Sequence, residues 1–289
     1  MLFIPLALVS SCEKPIEFAP RNPEPKLVVD ASIESGAYPL VYLSRSLNFF
    51  SSISFDQLAN SFVRGAQVQL SNGTQTYPLR EYEIPLADGY SIYYYSFDTL
   101  NSSASFRGVE GETYTLTIET DGQQYSATTV IPEFTKTLDS LYVTENVDRE
   151  DSSKVVLYGK FTDPPGFGNY TRYFTSVNGN PYYPGLNSVY DDQVIDGKSY
   201  TVQIEQGVDR NSEIDFEEYS YFRKGDNIRV KFCNIDKSVF DFWRTMEYSY
   251  SSIGNPFSSP TKVQGNISNG ALGYFGGYAV QYLSIYVPE

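Results

Sequence analysis

Pairs of acidic side chains are the first feature of this chain that could do chemistry. The chain contains Asp191-Asp192 and Glu217-Glu218, and Asp163 and Asp196 lie in turn-like contexts. Calcium takes about six to eight oxygen ligands from a loop with alternating acids, and no Asp-x-Asp-x-Asp spacing occurs. Glycoside hydrolysis needs two carboxylates held apart across a cleft, a geometry that spacing along a sequence does not predict. We therefore interpret these acids as solvated loop residues and expect no metal and no cofactor.

Nucleophilic catalysis has no better support. The chain has no His, which removes the commonest general base and the usual activator of Ser or Cys. Cys233 shares one face of a predicted strand with Arg229 and Lys231, whose charges favour a thiolate. Because no imidazole is present to accept its proton, we predict a quiet, half-buried thiol and a protein that is not an enzyme.

The second Cys suggests a covalent lipid. Cys12 follows an apolar run, Met1 to Leu8, which is too short to span a bilayer but suits the apolar region of an export signal. The small pair Ser10-Ser11 before Cys12 completes a lipobox, the pattern at which a signal is cleaved and the sulfur is acylated. We predict a signal peptide at residues 1–11 and lipid attachment at Cys12. A frayed strand with a buried Cys is the alternative.

The next stretch predicts a tether. Residues 12–25 contain four Pro among charged residues, a composition that favours an extended, polyproline-like backbone. Such a segment would lift a folded body away from a membrane surface. A loop packed on the first domain is the alternative.

Charge and hydropathy exclude two further classes of protein. The net charge is −14, and Lys and Arg form no stripe, so a phosphate backbone would be repelled and a nucleic-acid partner is excluded. No other apolar stretch approaches the roughly 20 residues that a membrane-spanning helix needs. We expect a folded body that only its lipid would hold at a membrane.

The composition predicts an all-β fold. Tyr and Phe number 26 and 19, and Gly and Pro recur at short intervals, a pattern typical of short strands joined by tight turns. Period-two alternation begins at Lys26, and Asn72-Gly73 and Asp121-Gly122 offer the two positive-φ residues of type I′ hairpins. We predict an N-terminal immunoglobulin- or transthyretin-like sandwich over residues 26–133.

A second β domain is predicted over residues 134–289, with one packed helix at about 237–250. Its alternating strands include an Asn178-Gly179 turn. The helix has Asp236 as its cap, and its apolar stripe consists of Val239, Trp243, Met246 and Tyr250. The predicted fold class is therefore two β-sandwich-like domains in tandem behind a lipidated N-terminal tether.

Tyrosines and one long excursion are the candidate binding surfaces. A strand cannot turn three consecutive side chains to one core, so at least one of Tyr93, Tyr94 and Tyr95 faces solvent or a partner. Tyr182 and Tyr183 form a second candidate, because Tyr suits protein interfaces and sugar stacking alike. The segment from Phe49 to Phe62 fits neither the two-residue hydrophobic period of a strand nor the 3.6-residue period of a helix. We predict there a loop with one helical turn, either a binding surface or a mobile insertion.

Short motifs spread along the chain together resemble one family. They include Ser11-Cys12-Glu13-Lys14, Leu27-Val28-Val29-Asp30, Gly65-Ala66-Gln67-Val68, Asp139-Ser140-Leu141, Gly254-Asn255-Pro256-Phe257 and Gly273-Tyr274-Phe275-Gly276-Gly277-Tyr278. The combination resembles a Bacteroidota outer-membrane lipoprotein family defined as a domain of unknown function. Members are typically encoded beside a TonB-dependent receptor, which implies an accessory role, and no catalytic residues are established for them. The chain departs from the family at Asp30-Ala31-Ser32-Ile33, where Glu-Gly-Trp-Ile is frequent.

Two tripeptides resemble the O-glycosylation acceptor of exported Bacteroidota proteins. They are Asp98-Thr99-Leu100 and Asp139-Ser140-Leu141, so Thr99 and Ser140 are candidate sites of glycan attachment.

The residues and the resemblance together predict a non-catalytic lipoprotein, lipid-anchored in the outer membrane at the cell surface. We expect an accessory binding or assembly subunit of a TonB-dependent receptor or transporter complex. A structural subunit of a larger outer-membrane assembly or secretion machine, and a surface glycan-binding protein, are the alternatives.

Overall fold

A computed structural model describes residues 24–47, 54–86, 89–100, 106–145, 151–253, 255, 257–259 and 261–289. Cys12, the predicted signal peptide and most of the predicted tether lie outside the described residues. The start of the excursion predicted from Phe49 also lies outside them.

Strands dominate the described residues and confirm the prediction of an all-β protein. In chain order they are β1 (Leu27–Glu34), β2 (Leu40–Arg45), β3 (Gln67–Ser71), β4 (Thr76–Pro85), β5 (Ser91–Phe97), β6 (Thr113–Thr120), β7 (Gln123–Val130), β8 (Thr137–Glu145), β9 (Lys154–Thr162), β10 (Tyr170–Val177), β11 (Tyr183–Tyr190), β12 (Ser199–Ile204), β13 (Phe222–Arg223), β14 (Asn227–Ile235) and β15 (Leu272–Tyr286). The helices of the described part are α1 (Phe55–Ala59) and α2 (Lys237–Ser251). Neither of these helices is long and apolar enough to cross a membrane.

The strands form two open sheets. The large sheet has 11 strands in the order β11-β10-β14-β15-β1-β2-β5-β4-β3-β6-β7, and the small sheet combines β8, β9, β12 and β13. Strands β1 and β15 pair in parallel, from Val28 beside Leu272 to Glu34 beside Tyr278. They lie in the middle of the large sheet, so the first and the last described strands join its two halves.

Alternation along β1 gives the large sheet two different faces. Val29, Ala31 and Ile33 are buried in the N-terminal core, whereas Asp30 points the opposite way. We call the side that carries Asp30 the front face and the side that carries Val29 the back face. On the back, the sheet surrounds the N-terminal core and packs on the small sheet over a second core. On the front, α2 covers part of β10, β11 and β15 over a third core.

The predicted boundary between residues 133 and 134 divides the cores more cleanly than it divides the sheets. Most of the N-terminal core comes from residues before the boundary, but Phe275 and Ala279 of β15 are buried in it as well. The β1–β15 ladder makes the large sheet continuous across the boundary. The two predicted domains therefore share one sheet.

Strand β7 returns to β15 behind the N-terminal core. The backbone N of Gly277 donates to Thr129 Oγ1 at 2.8 Å, and a Cβ at Gly277 would lie 2.3 Å from the Val130 oxygen, so only Gly fits. Asp236 Oδ2 accepts from Thr129 Oγ1 at 2.8 Å and from Val130 N at 3.2 Å. Its Oδ1 caps α2 by accepting from Val239 N at 2.9 Å. One carboxylate thus joins the helix start to the far end of the large sheet.

The turn predictions are confirmed in two places and wrong in one. Both residues of Asp121-Gly122 and of Asn178-Gly179 have positive φ, as a type I′ turn requires. At Asn72-Gly73 only Gly73 has positive φ. The side-chain oxygen of Asn72 accepts hydrogen bonds from Thr74 N and Gln75 N, which holds a longer loop in place of the two-residue turn.

Helix α2 begins after Asp236 as predicted, and Val239, Trp243 and Met246 of the predicted stripe pack on the third core, but the buried side chains of α2 extend beyond that stripe. The buried residues are Val239, Phe240, Phe242 and Glu247, and Tyr250 of the predicted stripe is exposed. The reason is that α2 contacts β11 as well as β15, so its buried arc is wider than one stripe.

The helical turn predicted within the excursion is confirmed as α1. Ser54 and Gln57 form a capping box, with Gln57 N donating to Ser54 Oγ at 3.2 Å and Ser54 N donating to Gln57 Oε1 at 3.0 Å. No side chain of α1 is buried, and Phe55 and Leu58 are exposed.

Candidate functional site

Three tyrosines lie side by side on neighbouring strands of the front face. Tyr82 of β4 stands opposite Tyr94 of β5, and their rings stack with centroids 5.3 Å apart. Tyr42 of β2 contacts Tyr94 from the other side, at a centroid distance of 5.9 Å. Aromatic side chains paired across strands stabilise one another. We call these three half-buried residues the tyrosine row.

Asp30 extends the tyrosine row toward helix α2. It stands opposite Tyr42 in the β1–β2 ladder and beside Tyr274 in the β1–β15 ladder. Asp30 is exposed to solvent, yet Tyr42 and Tyr274 stand beside it, and partial desolvation raises the pKa of its carboxyl group. The charge of Arg172 and the Tyr274 hydroxyl favour the ionised form without overcoming the burial. The tyrosine row therefore ends at a carboxyl group, and the surroundings of this group disfavour its ionised form.

A buried polar network continues from Tyr274 beneath α2. The hydroxyls of Tyr274 and Tyr278 lie 3.2 Å apart, and Trp243 Nε1 of α2 donates to Tyr278 OH at 3.1 Å. The guanidinium of Arg172 donates to the same hydroxyl at 3.4 Å and lies 3.5 Å from the centroid of the Trp243 ring. A desolvated cation over an indole face contributes about 2 kcal/mol. The network holds α2 against the sheet beside the tyrosine row.

Arg172 also reaches a buried carboxylate on α2. Its Nε donates to Ser188 Oγ at 3.0 Å, and Ser188 Oγ donates to Glu247 Oε1 at 2.5 Å. Burial raises the pKa of Glu247, although the donors of Ser188 and the charges of Arg172 and Arg210 oppose this. Buried charges persist in proteins when they are paired and hydrogen-bonded, as here. We interpret these groups as a structural lock for α2.

Exposed aliphatic side chains surround the tyrosine row. Leu40, Ile84 and Leu272 each lie two residues along a strand from Tyr42, Tyr82 and Tyr274, so all three belong to the front face. Their exposed fractions lie between 39 and 44 %. An apolar surface with an aromatic centre is typical of a protein interaction site.

The structure divides Tyr93, Tyr94 and Tyr95 between the two faces, as strand alternation requires. Tyr94 lies on the front, in the tyrosine row. Tyr95 points to the back, is 1 % exposed, and donates its hydroxyl to Val63 O at 3.0 Å. The prediction that Tyr95 faces a partner is therefore wrong, because this ring is part of the N-terminal core. Tyr93 also points to the back and is half-buried, with the Arg64 guanidinium 4.0 Å from its ring centroid.

Tyr182 and Tyr183 are divided in the same way. Tyr182 lies on the front face, with its ring centroid 5.8 Å from that of Tyr282 and 5.6 Å from the Arg229 guanidinium. Tyr183 stands opposite Thr175, a back-face residue. Of the predicted partner-facing residues, Tyr94 and Tyr182 therefore share the front face, although at opposite sides of α2.

Three of the acids singled out in the sequence come together in space. The carboxylate oxygens of Asp163, Asp192 and Asp196 lie within 4.8 Å of one another, and we call these residues the acid cluster. The expectation of solvated acids is wrong for Asp163 and Asp192, which are both 2 % exposed. Asp163 Oδ1 lies 3.1 Å from Nζ of Lys136, and both side chains are fully buried. This ammonium group supplies a positive charge inside the cluster, so we interpret the cluster as structural.

Backbone N–H groups donate hydrogen bonds to other carboxylate oxygens of the acid cluster. Asp192 Oδ2 accepts from Gly168 N and Asn169 N, both at 2.9 Å, and Asp196 Oδ1 accepts from Gly166 N at 2.6 Å. Burial alone would raise the pKa of Asp192, but the donors of Asn169 and Gly168 hold it below its ordinary value. The cluster thus ties the loop after β9 to the loop between β11 and β12.

Of the other acidic candidates, Glu217 is exposed as expected, and Asp191 and Glu218 form ion pairs. Asp191 pairs with Arg244 of α2 at 3.3 Å, and Glu218 pairs with Lys154 at 2.6 Å and with Arg223 at 2.7 Å. Pairs of this kind contribute about 0–1 kcal/mol to stability.

Cys233 lies on the front face beneath α2 and is fully buried rather than half-buried. Burial raises the pKa of its thiol to about 12, and the nearby charge of Lys231 offsets this only in part. The thiol is therefore protonated at neutral pH. Cys12 lies outside the described residues, and its lipidation stays a prediction.

The two candidate glycosylation residues are accessible. Thr99 and Ser140 are exposed, the first in a turn after β5 and the second on β8 beside a bulge. Attachment of a glycan stays a prediction.

The residues of the front face that sequence reasoning missed are Asp30, Tyr42 and Tyr82. Asp30 and Tyr42 alternate with buried residues on their strands, so their outward direction could be predicted, whereas neither neighbour of Tyr82 on β4 is buried. Their proximity could not, because it depends on which strands pair and in what register.

Comparison with known proteins adds the family. No curated protein matches the sequence. The family described as Domain of unknown function (DUF4249) matches residues 13–283, which is nearly the whole chain. The match agrees with the resemblance of the short motifs. The chain therefore belongs to the DUF4249 family.

Proposed function

We propose that this protein is a non-catalytic, lipid-anchored subunit of the outer membrane that docks onto a partner protein through its front face. The partner suggested by the family resemblance is a TonB-dependent receptor. Lipidation of Cys12 provides the anchor, and residues 12–25 provide the reach.

The observation that carries this proposal is the tyrosine row with Asp30 at its end and exposed aliphatic side chains around it. Tyrosine offers a large, rigid contact area at low entropic cost. The network beneath α2 holds one border of this surface in place, so docking requires little ordering. Asp30 adds specificity, because a partner that buries it must supply a hydrogen-bond donor or a positive charge.

Co-purification tests the docking. The native lipoprotein is extracted from membranes in mild detergent, and its partners are identified by mass spectrometry for the wild type and for a Tyr42→Ser/Tyr94→Ser variant. The matched control is Tyr142→Ser, which removes an exposed tyrosine stacked on Tyr158 of the small sheet. We expect the partner to be lost at least tenfold from the double variant and kept by the control. Equal recovery by all three proteins would refute docking through the front face.

Metabolic labelling tests the anchor independently. Cells fed a fatty-acid analogue should label the wild type and should not label Cys12→Ala. An unlabelled wild-type protein in the soluble fraction would contradict the lipid anchor. The docking surface would still be tested by the co-purification.

A glycan ligand is the second candidate for the same surface, because pyranose rings also stack on tyrosine. A glycan array with the wild type and with Tyr42→Ser separates the two. A tyrosine-dependent glycan signal without any co-purified protein would favour the glycan.

A further inference from the structure

A cavity of about 440 Å³ lies between the two sheets, on the back face and away from the tyrosine row. Strands β9 and β12 of the small sheet form one wall, and β10, β11 and β14 of the large sheet form the other. Pockets that bind small molecules typically measure about 300–1,000 Å³. The cavity is thus large enough for a compact ligand.

Val202 shows that the cavity extends from its opening into the space between the two sheets. In the β9–β12 ladder it stands opposite Gly159, between Tyr200 and Ile204, which face the second core. Val202 therefore points toward the interior of the sandwich, yet it is 45 % exposed. The opposing sheet leaves this apolar side chain uncovered.

Stacked aromatic pairs stand on both walls. Phe161 and Tyr200 stack on the side of the small sheet, with centroids 5.4 Å apart and planes at 16°. Tyr173 and Tyr190 stack on the side of the large sheet, with centroids 6.1 Å apart and planes at 22°. Two aromatic walls suit a flat apolar body.

The charges around the cavity select against an anion. Among the described residues, those that line it include Asp191 but no Lys or Arg. Burial, and after it the charges of Glu205 and Glu247, raises the pKa of Tyr190 to about 12, so its hydroxyl stays neutral. A carboxylate or sulfonate would find no Lys or Arg among the lining residues, and the positive charges nearest to them, Arg244 and Lys136, are already paired with Asp191 and Asp163.

The rim of the cavity is held in place. Val194 and Ile195 lie at the rim, in the loop between β11 and β12. The acid cluster ties this loop to the loop after β9, and Gly197 N donates to Asp163 Oδ2 at 3.2 Å. The buried Lys136 braces Asp163 from below. These contacts hold the loop at the opening in one conformation, so little ordering is needed when a ligand binds.

We infer that this cavity binds a small, uncharged molecule with a flat apolar body. The inference concerns a second site, separate from the proposed docking by the front face. It therefore stands or falls independently of the partner protein.

Photolabelling of the full chain in lipid nanodiscs tests the inference. The label is an uncharged trifluoromethyl-phenyl-diazirine, and its carboxylated analogue serves for comparison. Labelled residues are mapped by mass spectrometry. We expect saturable labelling of peptides that contain residues 190–204, and at least tenfold weaker labelling there by the anionic analogue.

Val202→Trp fills the gap, and Val109→Trp is the matched control at a 55 % exposed valine in the other half of the chain. We expect labelling to fall at least tenfold in Val202→Trp and to stay unchanged in Val109→Trp, with circular dichroism confirming that both fold. If Val202→Trp does not fold, the mapping on the wild type decides. Labelling only outside residues 190–204, equal labelling of the filled variant, or preference for the anionic analogue would overturn the inference.

Discussion

Asp30 lies in the proposed docking surface although its surroundings disfavour its charge. Burial between aromatic side chains raises the pKa of its carboxyl group in the folded chain. In the unfolded chain the pKa of Asp30 is about 3.9, and in the folded chain it is higher. Protonated Asp30 therefore stabilises the fold fully below the unfolded pKa, and this stabilisation is lost as pH rises through the folded pKa. Residues that oppose stability are often kept for binding.

Asp30→Asn is expected to raise the melting temperature at pH 7 slightly, because Asp30 is exposed and solvent screens its charge, and to weaken partner co-purification. The gain should disappear near pH 4, where Asp30 itself is protonated. Thermal denaturation at the two pH values measures the effect. A lower melting temperature for Asp30→Asn at pH 7 would show that the carboxylate is stabilising.

Asp151→Asn provides a comparison of opposite sign. Donors of Ser153 lower the pKa of Asp151 to about 2, and Arg223 contributes further. Its contribution to stability is present above pH 4 and is lost as pH falls toward 2. Asp151→Asn should therefore lower the melting temperature at pH 7.

The buried pair of Lys136 and Asp163 makes the strongest prediction about a single residue. Lys136→Met leaves the Asp163 carboxylate unpaired in the core and should reduce the free energy of unfolding by about 3–5 kcal/mol in urea titrations. Adding Asp163→Asn should restore part of the loss. Arg244→Met removes an exposed pair with Asp191 and should change the free energy of unfolding by less than about 1 kcal/mol. A loss below about 1 kcal/mol for Lys136→Met would contradict this role.

At the residue level, the sequence predicted which side of a strand a side chain occupies, but not which residues it contacts. Alternation required one of Tyr93, Tyr94 and Tyr95 to leave the core, and Tyr94 does so. The burial of Lys136 was not predictable, because Lys is almost never fully buried. Lys136 and Asp163 flank the paired strands β8 and β9, where Thr137 stands opposite Thr162, so their contact depends on the register of this one strand pair.

Among the elements, β15 was not predicted from the sequence pattern. Its stretch Gly273-Tyr274-Phe275-Gly276-Gly277 is rich in Gly, which is depleted from strands. The structure shows why Gly is needed here. A Cβ at Gly273 would lie 1.9 Å from the Val29 oxygen, and one at Gly277 would meet β7. Helix α2, by contrast, was predictable from its cap and its apolar spacing.

Asp236 is the residue on which the placement of α2 depends. Asp236→Ala removes the helix cap, worth about 1 kcal/mol, and two hydrogen bonds to β7. We expect the free energy of unfolding to fall by about 2–3 kcal/mol. Unfolding is monitored by the fluorescence of Trp243, which is the only Trp in the sequence. Ser54→Ala removes the cap of the exposed helix α1 and should have a smaller effect, below about 1 kcal/mol. Equal effects of the two variants would contradict the bridging role of Asp236.

At the scale of the whole molecule, the all-β class and the division into an N-terminal and a second core followed from periodicity and turn residues. The continuous sheet did not, because it depends on a parallel pairing between β1 and β15 that lie more than 230 residues apart, as 272 − 34 = 238. Pairing at such separation leaves no pattern in a local window.

The shared sheet predicts that the N-terminal part does not fold alone. A fragment of residues 24–133 lacks β15, and with it Phe275 and Ala279 of its core. We expect narrow amide dispersion in its NMR spectrum and rapid proteolysis, whereas the full chain resists. A well-dispersed spectrum for the fragment would support independent tandem domains.

The most direct test of an anchored docking subunit is photo-crosslinking in living cells. A benzoylphenylalanine replaces Tyr94 in one strain and Tyr142 in another, and adducts are resolved from outer-membrane fractions. We predict one discrete high-mass adduct from position 94 and none from position 142. Absence of an adduct at position 94, or the same adduct from both positions, would contradict docking through the front face.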